Sequence, residues 1–294
     1  MLLWASCMLS GLLVGCGSSP FYAPDQQLGT ASHQYPHPVI DYYLDSRSGN
    51  RLHVQRHLSS PPNANLVVHF HGNAGNLSKT SEKVVWLVDH GFDVLLFDYS
   101  GYGQSSGNAS RETLRLDGIT FLEHVSALSR PSGQRRILIG TSMGGAVLVD
   151  ALASSELQTE FDLLVIDSSF DHYSKLARDV ISRYPLSYLV AKVAEWTVSD
   201  QHAPADQIDK LKAIPLLVAH CQEDGLIPLE RGFELFEQAQ TAKVFWSMEK
   251  CLHARTFTAE HPDNQQLLLE QFELLPPVIM TASQGVGSAS QTLK

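Results

Sequence analysis

The chain of 294 residues is long enough for one large α/β domain with a sizeable buried core. Its composition, with 44% apolar and 18% charged residues and no sustained low-complexity run, excludes an intrinsically disordered chain. A formal net charge of −10 without a cluster of Lys and Arg excludes nucleic acid as the expected partner. We interpret the acidic balance as a solubility feature.

The chain opens with MLLWASCMLSGLLVGCGSS, an apolar run that ends in small residues and a cysteine. This run is too short to span a bilayer comfortably and is typical of the hydrophobic part of a signal peptide. The segment Leu13-Val14-Gly15-Cys16 resembles the bacterial lipobox, although no Lys or Arg precedes it. The resemblance implies cleavage before Cys16 and lipidation of that cysteine, and the alternative is an uncleaved hydrophobic N-terminus.

The residue after the cysteine, Gly17, resembles an outer-membrane sorting signal. The implied location is the bacterial cell envelope, with a lipid anchor in the outer membrane and the domain on the periplasmic side. The predicted organisation is a signal peptide over residues 1–15, a tether over 16–36 rich in Gly, Ser, Pro and Gln, one folded domain over 37–276 and a flexible tail over 277–294.

The predicted elements of the domain begin with VIDYYL and RLHVQRHL, which are divided by the turn-prone SGN and predict an antiparallel hairpin. Short apolar runs rich in β-branched residues follow, namely NLVVHFHG, DVLLFDYSG, RRILIG, DLLVID, IPLLVAH and AKVFWSM. Such runs predict parallel strands that are buried on both faces. Helical stretches lie between most of them, so we predict an α/β fold with a mostly parallel twisted sheet flanked by helices.

The longest interval between predicted strands contains HYSKLARDVISRYPLSYLVAKVAEWTVSD, which has helical spacing on both sides of its proline. It exceeds what one crossover helix needs, and we predict a small helical lid over about residues 168–206. The alternative is an ordinary crossover with an extra turn. Ligand sites in such folds lie at the carboxyl ends of the strands.

One strand, RRILIG, runs directly into GTSMGG at residues 140–145 and then into a helix-forming stretch. This is the G-x-S-x-G pattern between a strand and a helix, and it predicts that Ser142 is a nucleophile. Glycines at positions 140 and 144 let the chain reverse tightly, and the helix that begins near Met143 directs N–H groups and its positive dipole end to the same point. The alternative is a tight turn packed on a helix. A serine nucleophile also needs a base and an acid.

Two further motifs follow earlier strands, HGNAGN at residues 71–76 and DYSGYGQS at residues 98–105. With these motifs the chain resembles the serine hydrolases of the α/β-hydrolase superfamily, including bacterial lipoprotein α/β hydrolases, over about residues 38–275. The resemblance implies an α/β-hydrolase fold and the chain order serine, acid, histidine. It also implies an oxyanion hole made by the backbone N–H groups of Asn73, or Ala74, and of Met143.

For the acid, the resemblance indicates Asp224 in HCQEDGLIP, which follows a strand and matches the superfamily pattern H-G-x-x-D-x-x-[VI]-P. Cys221 replaces the glycine of that pattern. Asp167, at the end of DLLVID, is the alternative acid, because some hydrolases take it from that earlier strand. The simpler interpretation of Asp167 is a strand-end or helix-capping residue. Glu223 is expected to face solvent.

For the base, the resemblance indicates His253, which follows AKVFWSM by a short loop. The competitor His261 precedes Pro262, a residue typical of a helix start, so we expect His261 at a helix N-terminus. Three histidines on or at strand ends are interpreted as hydrogen-bonded structural residues: His69, His71 and His220. The sequence has no HExxH or paired-cysteine motif, and we predict neither a metal nor a cofactor.

Two cysteines remain, Cys221 and Cys251, if Cys7 leaves with the signal peptide and Cys16 is lipidated. In the superfamily their two strands are neighbours, about 4.8 Å apart, which is close to the Cα spacing of a disulfide. We therefore hypothesise a disulfide between the acid loop and the histidine loop, which an oxidising periplasm would preserve. The alternative is two buried free thiols, and the residues alone leave both open.

The predicted function is hydrolysis of carboxylic esters, with thioesters or lipid acyl groups as variants, through an acyl-enzyme formed on Ser142 with His253 and Asp224. The predicted partners are a small-molecule or lipid ester substrate and a membrane contacted through the lipid anchor. One alternative is an acyltransferase with the same triad. Another is a non-catalytic lipoprotein, because fold alone does not determine function.

Overall fold

The structure, a computed structural model, describes most of the chain, namely residues 22–60, 64–184 and 187–275. The predicted signal peptide, the predicted lipidation site Cys16 and the predicted tail over residues 277–294 lie outside the described residues. Within the described ranges, no helix is both long and apolar enough to cross a bilayer.

The described residues form an eight-stranded sheet. Its strands in chain order are β1 (Val39–Asp45), β2 (Arg51–His57), β3 (Asn65–Phe70), β4 (Phe92–Phe97), β5 (Arg136–Thr141), β6 (Leu163–Asp167), β7 (Leu216–Cys221) and β8 (Lys243–Met248). Their spatial order is β8-β7-β6-β5-β3-β4-β2-β1. Strand β2 is antiparallel to β1 and to β4, and the other neighbours are parallel. The predicted hairpin and the predicted mostly parallel sheet are confirmed.

Helices cover both faces of this sheet. They are α1 (Leu77–Thr80), α2 (Arg111–Ala127), α3 (Met143–Ala153), α4 (Tyr173–Ile181), α5 (Tyr188–Thr197), α6 (Ala205–Ile208), α7 (Leu229–Gln238) and α8 (Pro262–Glu273). Short 3₁₀ turns occupy Ser32–Gln34, Ser81–Lys83, Val85–His90 and Gln158–Glu160. Helix α2 begins at a capping box, in which the side chains of Ser110 and Thr113 each accept a backbone N–H of the other.

The core lies on both faces of the sheet because successive strand residues point to opposite sides. Val68 belongs to the hydrophobic cluster under α2 and α3, whereas the preceding Val67 belongs to the cluster under α8. In the first cluster the rings of Phe97 and Phe121 have centroids 4.1 Å apart, and Phe70 packs on both. This double burial explains why the central strands are continuous apolar runs.

The segment predicted as a helical lid, residues 168–206, contains α4, α5 and the start of α6. Ion pairs attach it to the domain through Arg231 of α7, whose guanidinium lies 3.2 Å from Asp171 Oδ1 and 3.1 Å from Asp179 Oδ2. Both carboxylates belong to the lid and are largely shielded from solvent. We keep the name lid for residues 168–206.

The described part of the predicted tether packs on the domain. Tyr22 is buried in the main hydrophobic cluster, and Ala23–Pro24 pairs in parallel with Ala74–Gly75 of the loop after β3. Lys79 Nζ lies 2.6 Å from a carboxylate oxygen of Asp25. The folded domain therefore includes residues from Tyr22 onward, and not only those from residue 37.

Candidate active site

Ser142 lies in the sharp turn between β5 and α3, with φ 55° and ψ −123°. A positive φ is strained for a residue with a side chain. The neighbouring glycines have no room for a Cβ: one at Gly144 would lie 2.0 Å from the Phe70 carbonyl oxygen, and one at Gly140 would lie 2.7 Å from the Gly145 Cα. The crowded turn therefore holds Ser142 in a strained conformation at the carboxyl edge of the sheet.

His253 joins Ser142 to Asp224 in a chain of hydrogen bonds. Its Nδ1 lies 2.7 Å from Asp224 Oδ2, and its Nε2 lies 3.0 Å from Ser142 Oγ. Because an ionised carboxylate can only accept, Nδ1 carries the proton, and Nε2 of the neutral ring is free to accept from the serine hydroxyl. This is the tautomer that a general base acting on a serine requires.

Asp224 is held by several donors besides His253. Its Oδ1 accepts the backbone N–H groups of Leu226 and Ile227, each at 2.8 Å, and His220 Nε2 lies 3.4 Å from Oδ2. Burial raises the pKa of Asp224, but hydrogen bonds from His220, His253 and the backbone outweigh burial and lower the pKa well below its usual range. The carboxyl group therefore stays ionised and keeps the histidine ring oriented.

The loop after β3 lies beside Ser142. A Cβ at Gly72 would be 3.5 Å from the Ser142 Cβ, and Asn73 is the next residue of that loop. Met143 is the first residue of α3, so its N–H has no acceptor within the helix. The two predicted oxyanion donors, the N–H groups of Asn73 and Met143, therefore come from two segments that flank the serine.

The N-terminal segment braces this loop. Asn73 Oδ1 accepts hydrogen bonds from the backbone N–H of Ala23 and from the Tyr102 hydroxyl, each at 2.8 Å. Asn76 Nδ2 donates to the carbonyl oxygen of Asp25 at 2.9 Å. The position of the predicted oxyanion loop thus depends on residues that precede the sheet.

Sequence reasoning missed this brace because residues 16–36 are rich in Gly, Ser, Pro and Gln, a composition typical of tethers. One signal was available in the aromatic Tyr22, which stands in a largely polar stretch. A large aromatic side chain contributes most when it is buried, and Tyr22 is indeed buried.

A disulfide joins Cys221 and Cys251, with their Cα atoms 5.5 Å apart. Cys221 ends β7 and is paired in register with Met248 at the end of β8. One cysteine precedes Asp224 by three positions, and the other precedes His253 by two. The bond therefore links the acid loop to the histidine loop.

The alternative acid, Asp167, lies behind the histidine loop. Its Oδ1 accepts from Thr256 Oγ1 at 2.6 Å and from Ser168 Oγ at 3.0 Å, and Ser168 Oγ accepts the backbone N–H of Ala254 at 3.1 Å. Burial raises the pKa of Asp167. Both ring nitrogens of His253 have other partners, so Asp167 supports the loop that carries the histidine instead of orienting its ring.

The other candidate histidines also have structural partners. The paired atoms are His69 Nε2 with Thr141 Oγ1 at 3.1 Å, His71 Nδ1 with Gly72 O at 2.7 Å, and His220 Nε2 with Ile227 O at 3.0 Å. Burial lowers the pKa of His69 and of His71, which favours neutral rings. His261 occupies the N-cap position of α8, as its place before a proline predicted, but its side chain makes no capping hydrogen bond.

Comparison with protein families gives a match over residues 61–199 to the model described as serine aminopeptidase, S33. The matched range contains Ser142 and both predicted oxyanion donors and ends before Asp224. The family match therefore includes Ser142 but neither Asp224 nor His253, so the hydrogen bonds between these three residues are evidence that the match does not contain.

Relatives of the chain include the uncharacterised protein YfhR of Escherichia coli K12, which is 28% identical over 83% of this chain and 82% of that protein. Lysophosphatidylserine lipase ABHD12 of Macaca fascicularis is 27% identical over 61% of this chain and 46% of that protein. Among solved structures, an esterase of Pyrococcus furiosus has a TM-score of 0.69 and 18% identity, covering 87% of this chain and 98% of that chain. At this identity the structural likeness establishes the fold.

Proposed function

We propose that this chain is a serine hydrolase of the α/β-hydrolase superfamily that cleaves carboxylic esters through an acyl-enzyme, and its partial family match and its fold support the proposal. In this proposal Ser142 is the nucleophile, His253 the general base and Asp224 the residue that orients the base. The observation that carries the proposal is the hydrogen-bonded chain from Ser142 Oγ through His253 to Asp224 at the carboxyl edge of the sheet.

The acylation step follows from the hydrogen bonds. His253 Nε2 removes the proton from Ser142 Oγ as the oxygen attacks the acyl carbon of the ester. The carbonyl oxygen gains negative charge, and the N–H groups of Asn73 and Met143 would stabilise it. One such donor contributes about 3 kcal/mol to lowering the barrier.

The tetrahedral intermediate then collapses to release the alcohol. His253 donates its new proton to the leaving oxygen, and the acyl group stays bonded to Ser142. A water molecule repeats the sequence, with His253 again taking the proton, and the carboxylic acid leaves. Asp224 remains ionised throughout, because its low pKa keeps it an acceptor for the histidine N–H.

For the substrate, we propose esters with an apolar acyl chain, including monoacyl lipids. Two exposed leucines lie next to the catalytic chain, Leu226 two residues after Asp224 and Leu252 directly before His253. An apolar rim favours a substrate with hydrocarbon next to its scissile bond. The relative named as a lysophosphatidylserine lipase supports the same class. A thioester would react by the same steps.

The test is labelling with a fluorophosphonate, together with hydrolysis of p-nitrophenyl esters of graded acyl length. The wild-type protein should label and turn over, and Ser142→Ala should lose labelling and at least about 10⁴-fold of kcat. Ser154→Ala, at the exposed far end of α3, is the matched serine control and should keep both.

An unlabelled wild-type protein would overturn the proposal. If the protein hydrolysed amino-acid p-nitroanilides but not esters, its substrate would be a peptide and not an ester. Transfer of the acyl group to an added alcohol in preference to water would instead identify an acyltransferase that uses the same residues.

A further inference from the structure

Helix α5 of the lid exposes nearly all its large apolar side chains. Trp196 is 87% exposed and Leu189 is 74% exposed, whereas the small Ala191 is buried. We use the name lid face for the exposed apolar residues of α5 together with Tyr184, which precedes the helix. The lid face consists of Tyr184, Tyr188, Leu189, Val190, Val193 and Trp196. A contiguous apolar patch of this kind marks an interaction surface.

The charge on this helix differs from that of the chain as a whole, which is −10. Lys192 lies with its Nζ 4.7 Å from the centre of the Tyr188 ring, beside the lid face. The acidic residue of the helix, Glu195, is paired with Arg178 at 2.8 Å. Arg183 adds a second basic group just before the helix. Aromatic and aliphatic side chains flanked by basic residues are typical of helices that lie in a bilayer interface.

Arg183, which directly precedes the first residue of the lid face, contacts the rim of the candidate active site. Arg183 Nη2 donates to the carbonyl oxygen of Leu226 at 2.6 Å. Leu226 is itself exposed, and its N–H donates to Asp224. A surface that contacts the lid face therefore also lies near the point where an apolar acyl chain would enter.

The first described residue of the chain, Tyr22, lies near the C-terminal end of α5. The guanidinium of Arg111 lies beside the Tyr22 hydroxyl and donates to the carbonyl oxygens of Ser199, at 2.6 Å, and Gln201, at 2.9 Å. These residues follow the end of α5 directly. From Cys16 to Tyr22 an extended chain reaches at most about 20 Å. A lipid anchor at Cys16 would therefore hold this end of the lid close to a membrane.

We propose that the lid face lies on the surface of a lipid bilayer, with α5 roughly parallel to the membrane plane and its aromatic side chains at the level of the headgroups. Lys192 and Arg183 then face the anionic headgroups. Docking positions the active-site rim over the lipid from which an acyl substrate would come. The contact itself involves no catalytic residue, so it goes beyond the proposed hydrolase activity.

The test uses the full chain with Cys16→Ser and Trp4→Phe, which removes the predicted lipidation site and a tryptophan near the N-terminus. Vesicles of phosphatidylethanolamine and phosphatidylglycerol with brominated acyl chains quench tryptophans that reach the interface. Most of the quenchable emission should disappear in Trp196→Phe. Leu189→Glu combined with Val193→Glu should weaken vesicle binding at least about tenfold.

The matched control is Leu267→Glu combined with Leu274→Glu, which places the same two charges on exposed leucines in α8 and at its C-cap. It should leave quenching and vesicle affinity unchanged. Quenching that survives Trp196→Phe, or equal vesicle affinity in the α5 and α8 variants, would overturn the proposal. Reversible dimerisation in lipid-free buffer that the α5 substitutions abolish would overturn it too, because a second copy would then cover the lid face.

Fluorophosphonate labelling of the same proteins in lipid-free buffer separates this inference from the proposed function. A protein that labels but does not dock overturns the membrane contact alone. A protein that docks but does not label overturns the hydrolase alone and leaves the membrane contact supported.

Discussion

The carboxyl edge of the sheet and the lid differ in how their side chains are surrounded. At the edge, Ser142 and Asp224 are buried, and hydrogen bonds from backbone and side chains engage them. On α5 of the lid, Leu189 and Trp196 project into solvent. A disulfide ties the edge together, whereas ion pairs centred on Arg231 tie the lid to the domain.

This difference matches the two tasks that we propose for the chain, catalysis at the edge and membrane contact at the lid. Reaction chemistry needs atoms held to a fraction of an ångström, which burial and a strained backbone provide. Contact with a varied surface such as a lipid needs exposed apolar area and tolerates loose positioning. Substitutions at the edge should therefore have large effects, and substitutions on the lid face should barely alter the isolated protein.

The largest effect is expected at Asp224. In Asp224→Asn the amide no longer fixes the His253 tautomer, so kcat for a p-nitrophenyl ester should fall by about 10⁴-fold. Glu223→Gln changes the adjacent exposed carboxylate and should leave kcat unchanged. If the two variants had similar activity, the acid would have to be sought elsewhere.

The second-largest effect is expected from a substitution in the turn at Ser142. Gly144→Ala places a Cβ 2.0 Å from the Phe70 carbonyl oxygen, so the free energy of unfolding in urea should fall by more than about 4 kcal/mol. Gly225→Ala is the control, because a Cβ there meets nothing within 4 Å. Equal stability of the two variants would mean that the crowded turn is not rigid.

The third-largest effect is expected from removal of the disulfide. Removing it with Cys221→Ser and Cys251→Ser frees a loop with a sequence separation of 30, which costs about 3 kcal/mol of stability. The catalytic rate should fall as well, because the acid and histidine loops lose their link. The control is a thiol count of the folded wild-type protein without reductant, and finding both thiols free would contradict the pairing.

The attachment of the lid should be weaker and sensitive to pH. Burial raises the pKa of Asp171, but hydrogen bonds from Lys175 and His172 and the charge of Arg231 lower it to about 2. This carboxylate therefore contributes stability above about pH 4, and the contribution is lost as the pH falls toward about 2.

Accordingly, Asp171→Asn should cost about 2 kcal/mol at neutral pH, and the difference from wild type should shrink in acid. Urea unfolding over a pH series measures it. Asp206→Asn, an exposed carboxylate in α6 of the lid, serves as the reference and should cost little at any pH. A pH-independent loss in Asp171→Asn would show that charge is not what holds the lid.

The smallest effect is expected on the lid face. Leu189→Ser should change the free energy of unfolding in lipid-free buffer by less than about 0.5 kcal/mol, because the side chain is already in solvent. Ala191→Glu, on the buried side of the same helix, should destabilise far more. A large loss of stability in Leu189→Ser would mean that Leu189 is packed in the interior. The contrast between a buried active-site edge and an exposed lid face would then not hold.

Sequence patterns predicted the sheet well, because β-branched apolar runs are what doubly buried parallel strands require. The G-x-S-x-G pattern likewise predicted the turn at Ser142, since crowding there admits only glycine at Gly144. The choice of Asp224 over Asp167 rested on resemblance to a family. The structure adds a physical reason, since the nitrogens of His253 reach Asp224 and Ser142, and Asp167 instead accepts from Thr256.

The N-terminal segment shows where sequence patterns fail. A stretch rich in Gly, Ser, Pro and Gln has no hydrophobic period, so it was predicted as a tether. Yet the backbone of Ala23 and Asp25 bonds to Asn73 and Asn76 of the predicted oxyanion loop. These hydrogen bonds join the backbone of one segment to asparagine side chains of a distant one, and local sequence patterns do not record them.

Local periodicity and a short motif were therefore enough to predict the strands and the turn at Ser142 from the sequence, whereas the order serine, acid, histidine came from the resemblance to a superfamily. Only the tertiary structure decided that His253 lies within hydrogen-bonding distance of Ser142 and Asp224, that residues from Tyr22 onward brace the oxyanion loop, and that the apolar residues of α5 face outward. Those facts depend on how segments far apart in the chain pack together, and packing is a property of the folded whole.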